Sequence, residues 1–339
     1  MPMPALLSRL ALLAFAAAPV QAGAAGLGYD LDALDGAELA PGDAAPAAPP
    51  PAPLPVTTGA ALLQDSQIDE NILLPAAGPD GDEGRKWARD YFAVAAGVIS
   101  VPDYNGSDER TILPAFYLRG RVSGFAFSTR GTNFQVDLIR QRRGQKTDIK
   151  LGPIVNLRSD RSGSVKDPQV DALGKRKLAV ELGLTAGITH TGVVTSGYDQ
   201  FGFRLVALRD ISGRHGSWVV SPTLEYGTPL SKRAYIGVSG SMNLYGKGFG
   251  RHYFDIDAAG SAASGLPVYE GAGRRATLGK YTVGVAGAYG LSGDLRKGFV
   301  LIGGAQYGRV TGSYADSPIV ARAGDADQWL FGGGLAYQF

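Results

Sequence analysis

The grouping in this chain closest to a catalytic one is His215-Gly216-Ser217. A histidine beside a serine can act as base to a hydroxyl nucleophile, and Glu225, further along, is a conceivable carboxylate to orient it. A second set qualifies by residue type only. Asp210, Asp255, Asp257 and His252 are the groups that an aspartate–histidine hydrolase would need to bring together at one rim. A nucleophile among Ser261 to Gly265 would have to use His252, the histidine of that stretch. The chain has 3 histidines and no cysteine. Thiolate catalysis, disulfides and cysteine zinc sites are therefore excluded. No metal cluster or phosphate-cradling glycine loop is visible, so no cofactor is expected.

What such residues do depends on the elements that hold them, and the N-terminus says where those elements form. Arg9 precedes the short apolar run Leu10 to Ala18, and Val20-Gln21-Ala22 places small or compact residues where a signal peptidase reads. The run is about half of the ~20 residues that a spanning helix needs. Residues 1–22 are therefore expected to be a signal peptide cleaved after Ala22, with Ala24 or Ala25 as alternative sites. Residues 23–86 are rich in Ala, Pro and Gly and too poor in apolar side chains to offset the entropy of ordering. They are expected to be a disordered periplasmic linker. The linker is acidic, with every charge from Asp30 to Glu83 negative before Arg85.

Beyond Asp90 the texture becomes period-two alternation broken by turn residues. In the last such stretch Trp329, Phe331, Leu335, Tyr337 and Phe339 share one face. Gln328, Leu330, Gly332, Gly334, Ala336 and Gln338 share the other. Leu178, Val180, Leu182, Leu184 and Ile188 oppose Lys177, Glu181, Gly183 and Thr185 in the same way, and Tyr281, Val283, Val285 and Tyr289 oppose Lys280, Thr282, Gly284 and Ala286. A soluble sandwich also alternates. Here the stretches run about ten residues, carry aromatics near their ends, and turn small or polar groups away from the apolar face, as a tilted membrane strand requires. Charged residues make up only 19% of the chain, against roughly 25% for soluble proteins. A net charge of +2 gives no reason to expect nucleic acid as a partner.

The fold class is therefore all-β, a transmembrane antiparallel barrel over 87–339 with a disordered N-terminal extension. About twelve strands are expected, at 90–101, 111–120, 123–129, 132–140, 147–157, 177–190, 198–209, 217–228, 233–244, 278–291, 298–310 and 328–339. Ten is the fallback if the short third and fourth fail. Apart from the tight turn at 130–131, the longer connections then fall on one side and the short ones on the other, the pattern of external loops and periplasmic turns. In this topology His215 to Ser217 sits at an external loop edge, and Glu225 points into the lumen about a strand-length away. The His-x-Ser pair resembles that of outer-membrane lipid A deacylases, but the separation favours a polar loop entering a strand, and no enzyme activity is assigned.

Tyr91 to Val101 followed by Pro102-Asp103-Tyr104-Asn105-Gly106-Ser107-Asp108-Glu109 resembles the opening strand and first loop of the MipA/OmpV family, and so does Ser261 to Gly273, with Ser261, Ser264, Gly265, Pro267 and Tyr269, in the longest loop. The resemblance spans about 90–339 and implies an outer-membrane barrel. It implies more weakly a scaffold joining a lytic transglycosylase to a murein synthase. The acidic linker departs from the usual short family N-terminus. From the residues alone, Asn105-Gly106 is a turn capped by Ser107 or Asp108, with Tyr104 as an interfacial girdle residue. Ser261 to Gly265 is small and flexible enough to fold back into the barrel mouth.

The expected periplasmic side is basic. Arg119, Arg121, Arg140, Arg142, Arg143, Lys146, Lys232, Arg233, Arg296 and Lys297 outnumber Asp148 and Asp294. Such a rim suits an acidic partner surface or the chain's own linker. Phe339 at the terminus, with Tyr337 and Leu335 at alternate positions, resembles the signal read by the barrel assembly machinery. The expected surroundings are outer-membrane lipid and lipopolysaccharide. A murein scaffold, a small-solute pore, and a surface adhesin or lipid-modifying barrel remain the competing readings.

Overall fold

The computed structural model describes residues 90–142 and 144–339; the expected signal peptide, the linker and Arg143 lie outside the described residues. The chain forms β1 (Tyr91–Pro102), β2 (Arg110–Val122), β3 (Phe125–Arg130), β4 (Asn133–Val136), β5 (Thr147–Arg158), β6 (Ala179–Thr191), β7 (Gln200–Asp210), β8 (Trp218–Pro229), β9 (Ala234–Tyr245), β10 (Thr277–Gly290), β11 (Gly298–Val310) and β12 (Asp327–Gln338). Each strand pairs antiparallel with its sequence neighbour, and β12 closes on β1 from Ala93↔Gln338 to Ser100↔Phe331. The ring closes on itself, as strands that cross a bilayer require, with residues 110–116 of β2, beyond the short hairpin, paired to β1 alone.

Two details depart from expectation. The fourth strand ends at Val136, not near 140, because the Asp137 carboxylate takes over the hydrogen bonding: its Oδ1 accepts the Ile139 N–H at 2.9 Å and the Leu151 N–H at 3.1 Å. Lys177, expected on the lumen face, lies exposed in the loop before β6, which begins at Ala179.

The alternation does what the residue types dictate. Phe203, Leu184, Leu224, Val283, Leu301 and Phe331 stand outward and exposed, forming the lipid-facing belt. Inward positions are small or polar. At the closing seam Gly97 faces Gly333 and Gly334, and a Cβ on Gly97 would lie 2.2 Å from the Gly333 carbonyl oxygen. Glycine is needed there for the two strands to meet.

The loops at 103–109, 159–178, 211–217, 246–276 and 311–326 gather at one end. They carry α1 (Pro168–Ala172), α2 (Lys247–Tyr253), α3 (Ala258–Ser264), α4 (Gly312–Ala315) and α5 (Pro318–Ala321). The opposite end holds the shorter turns and both ends of the barrel chain. None of these helices is long and apolar enough to cross a membrane.

Candidate functional site

The register brings together what the sequence keeps apart. Glu181 on β6 pairs with Asn156 on β5 and Asp210 on β7. Its carboxylate is fully buried in the lumen and accepts a forked pair from Arg158, Nε to Oε1 at 2.9 Å and Nη2 to Oε2 at 3.1 Å. Asn156 Nδ2 adds a bond of 2.6 Å and His215 Nε2 one of 2.9 Å. The His215 Nδ1 atom accepts the Ser217 backbone N–H at 3.3 Å, which leaves Nε2 to donate to Glu181. Both ring nitrogens are thus engaged. The orienting carboxylate is Glu181, not Glu225, which packs over Gly202.

Asp210 serves the same loop. Its carboxylate accepts the N–H groups of Ser212, His215 and Gly216, each at 2.8 Å. Asp257 caps α3 by accepting the Gly260 N–H at 2.7 Å, and Asp255 accepts those of Ala272 and Gly273. These carboxylates hold backbone and do not converge on a reacting centre.

Above the network sits an aromatic cap built from the long loops. Phe249 stacks on Tyr245 at 4.1 Å, lies 5.4 Å from the His215 ring, and has the Arg158 guanidinium 5.1 Å from its centroid. Tyr253, Phe254 and Tyr314 complete it, and all are buried. The cap therefore rests directly on the lumen ion network.

Both family-like loop stretches are joints of this cap. Tyr104 is not a girdle residue. It is 1% exposed and donates its hydroxyl to the carbonyls of Ile319 and Ala323. Gly106 has φ +104 and a would-be Cβ 2.5 Å from Val320, so only glycine fits. Its N–H reaches Gln328 Oε1 at 3.1 Å, while Gln328 Nε2 returns to the Ser107 carbonyl at 3.0 Å. Ser107 Oγ accepts the Glu109 N–H, and Asp108 is exposed. Ser261 to Ser264 is helical, not flexible: Asp257 caps its start and Gly265, at φ +74, ends it. Pro267 leads into Tyr269, which pairs with Ile256 and donates its hydroxyl to the Ser313 carbonyl at 2.5 Å.

His252 lies at the cap's edge, its ring 4.7 Å from Tyr253. Burial, then Arg176, His215 and Arg161, pull its imidazole from the usual 6.5 down to about 4, outweighing Asp210. The depressed value means that the cap's stability is whole above pH 6.5 and falls as the pH drops towards 4. Limited proteolysis of the long loops should accelerate over that window in the native chain and less steeply in His252→Gln. Equal slopes would remove His252 from this role.

The basic residues divide by environment. Arg119 and Arg121 point inward and lie about 5.2 and 5.1 Å from the Tyr91 ring. Arg140 covers Phe125 at 4.5 Å, and Arg296 pairs with Asp294 at 2.6 Å. Arg142, Lys146, Lys232, Arg233 and Lys297 stand exposed at the short-turn end, while Arg143 lies outside the described residues. Phe339 donates its N–H to the Phe92 carbonyl at 2.9 Å, and its ring lies 4.7 Å from Tyr337.

Two small cavities of about 20 and 30 Å³ lie inside the wall formed by β2 to β8. Arg204 and Gln135 line both; Arg130, Asn133 and Arg158 line the first, and Arg119, Lys150 and Glu225 the second.

A family model described as MltA-interacting protein MipA matches residues 94–339. Among curated proteins none matches. Similar solved structures include an outer membrane channel from Pseudomonas putida F1, 14% identical, covering 77% of this chain and 100% of that one at a TM-score of 0.40. An anion-selective porin from Comamonas acidovorans is 8% identical over 74% of this chain and 99% of its own, with a TM-score of 0.31.

Proposed function

The chain belongs to the MltA-interacting protein (MipA) family, and from that premise we propose that it is a closed, non-enzymatic outer-membrane barrel that anchors murein-processing enzymes at its periplasmic rim. The observation that carries this reading over a diffusive pore is the state of the lumen. Inward polar side chains along β7 to β12, among them Arg204, Thr223, Ser241, Lys280, Gln306 and Gln338, are no more than 8% exposed. A porin keeps such a lining wet. The aromatic cap and its ion network further occupy the external end.

With the lumen filled, the exposed chemistry lies at the rims. The exposed Arg142, Lys146, Lys232, Arg233 and Lys297 suit an acidic partner in the periplasm. The family's name points to a lytic transglycosylase, and a murein synthase is the second proposed partner. Engagement of both His215 ring nitrogens supports the non-enzymatic reading.

Affinity capture with the full chain from solubilised envelopes tests the proposal. Murein enzymes should be enriched, released towards roughly 0.5 M salt as exposed charges are screened, and lost with Lys232→Gln and Arg233→Gln together. Absence of any murein enzyme would end the scaffold reading. The two lumen cavities favour a narrow small-solute conduit as the second reading. Planar-bilayer recording separates the two: a closed scaffold gives no conductance steps above baseline.

A further inference from the structure

The short-turn end of the barrel carries more exposed positive charge than its own carboxylates answer. Arg142 and Lys146 before β5, Lys232 and Arg233 between β8 and β9, and Lys297 between β10 and β11 are all exposed. The acids of the same turns are engaged within the fold. Asp199 accepts the N–H groups of Val193, Val194 and Thr195, Asp294 pairs with Arg296, and Asp90 accepts the Ser123 N–H at 2.8 Å.

The turns form one ledge. The Lys146 carbonyl accepts the Thr191 N–H at 2.8 Å, and Thr195 Oγ1 meets Thr228 Oγ1 at 2.8 Å. The Lys232 and Arg233 carbonyls accept the N–H groups of Leu295 and Gly290 at 3.1 and 2.7 Å. The basic side chains thus stand on a hydrogen-bonded base that runs from β5 to β11. Between them the ledge is apolar: Val194, Tyr198 and Leu230, on turns beyond the strand ends, are 73%, 60% and 66% exposed.

The sequence supplies a segment of matching order. Asp65, Asp69 and Glu70 precede Ile72-Leu73-Leu74, and Asp80, Asp82 and Glu83 follow, with no basic residue among them before Arg85. Acidic, apolar, acidic on the segment answers basic, apolar, basic on the ledge, where Arg142 and Lys146 lie to one side of the apolar turns and Lys232 and Arg233 to the other.

That segment lies outside the described residues, but the point it leads to is fixed. The bond from Ser123, in the turn between β2 and β3, to Asp90 brings the chain into β1 at the short-turn end. Strands ~4.8 Å apart and tilted about 40° give a twelve-stranded rim roughly 75 Å round. A chain from Asp65 to Asp90 extends up to roughly 80 Å, so every turn is within reach. One exposed ion pair is weak. A tether raises the effective concentration to about millimolar, where several such pairs and an apolar seat act together.

We propose that residues 65–83 dock on this ledge as an intrachain competitor, closing the basic rim to acidic partners until one displaces them. The proposal rests on the reading of that rim as the docking face for an acidic partner, and adds its regulation.

The test uses the full chain folded in detergent micelles, as an equal mixture of light and isotope-heavy copies. A carbodiimide, which joins carboxylate to amine without a spacer, should link residues 65–83 to Lys146, Lys232 or Lys297 within single chains. These links should fade towards roughly 0.5 M salt as exposed charges are screened. A fluorescent polyglutamate peptide then probes the rim. Replacing Asp65, Asp69, Glu70, Asp80, Asp82 and Glu83 by their amides should tighten its binding at low salt. The gain should be roughly tenfold, the factor for a rim nine-tenths occupied by its own segment. Lys232→Gln with Arg233→Gln should remove that gain, heat-modifiable migration showing that the barrel has folded. Links only between light and heavy copies would give the rim to a second chain and overturn the proposal. Absence of the links, or an amide variant that binds the peptide no better, overturns it equally. Capture of murein enzymes is scored separately, so either reading can fail while the other stands.

Discussion

Glu181→Ala should lower barrel stability by about 3–5 kcal/mol, because it leaves the Arg158 guanidinium buried without its counter-ion. Arg158 is 3% exposed and Glu181 fully buried, so neither charge is relieved by water. The same carboxylate also holds Asn156 and His215. Its loss should free the His215 loop and the Phe249 ring that rests on both Arg158 and His215, so external-loop proteolysis should rise along with the fall in urea midpoint. The pair Arg158→Met with Glu181→Leu tests the cause. If the penalty is the orphaned charge, this apolar pair recovers most of the midpoint. If the midpoint of Glu181→Ala matches the native chain, the cap does not depend on the network.

The twelve strands were legible because two physical demands coincide in a barrel. Lipid requires apolar side chains outside, the narrow lumen requires small or polar ones inside, and every strand therefore repeats at two, as Tyr281 to Ala288 does. The fourth strand was overestimated because Asp137 replaces ladder partners with its own carboxylate, a substitution that no alternation pattern reveals. The ion network was not legible. Asn156 and Arg158 on β5 are separated by loops from Glu181 and His215, and only the register between neighbouring strands fixes which positions face one another. Glu225 attracted attention through proximity in sequence, whereas Glu181 won through register. Tyr104 illustrates a different failure: an aromatic beside a strand end suits both a membrane girdle and a loop core. The helix at Ala258–Ser264, in contrast, carried its signals in plain view, an aspartate before it and a glycine after it.

Deleting Phe339 should reduce the folded fraction more than deleting any single external-loop residue, by roughly tenfold if one backbone bond and the ring contacts are lost together. The seam between β1 and β12 explains why. Gly97, Gly333 and Gly334 let the strands approach at mid-seam but bring no side chains there, so the packing across it comes from Ile99 with Leu330 and from the alanines Ala93, Ala95 and Ala336. Beyond the last ladder pair, Ala93↔Gln338, the short-turn end of the seam is fastened by the Phe339 N–H on the Phe92 carbonyl at 2.9 Å and by a run of rings. Phe339 lies 4.7 Å from Tyr337 and 6.0 Å from Phe92, which in turn lies 6.3 Å from Phe127. Phe339→Ala keeps the backbone donor and removes the ring, so it should fall between the deletion and the native chain. Pulse-labelled protein scored by heat-modifiable migration gives the ranking. Equal folded yield for all three chains would mean that the seam closes without its terminal clamp. A graded loss, largest for the deletion, would mean that closure is the step at which the glycine-lined seam depends on the last residue of the chain.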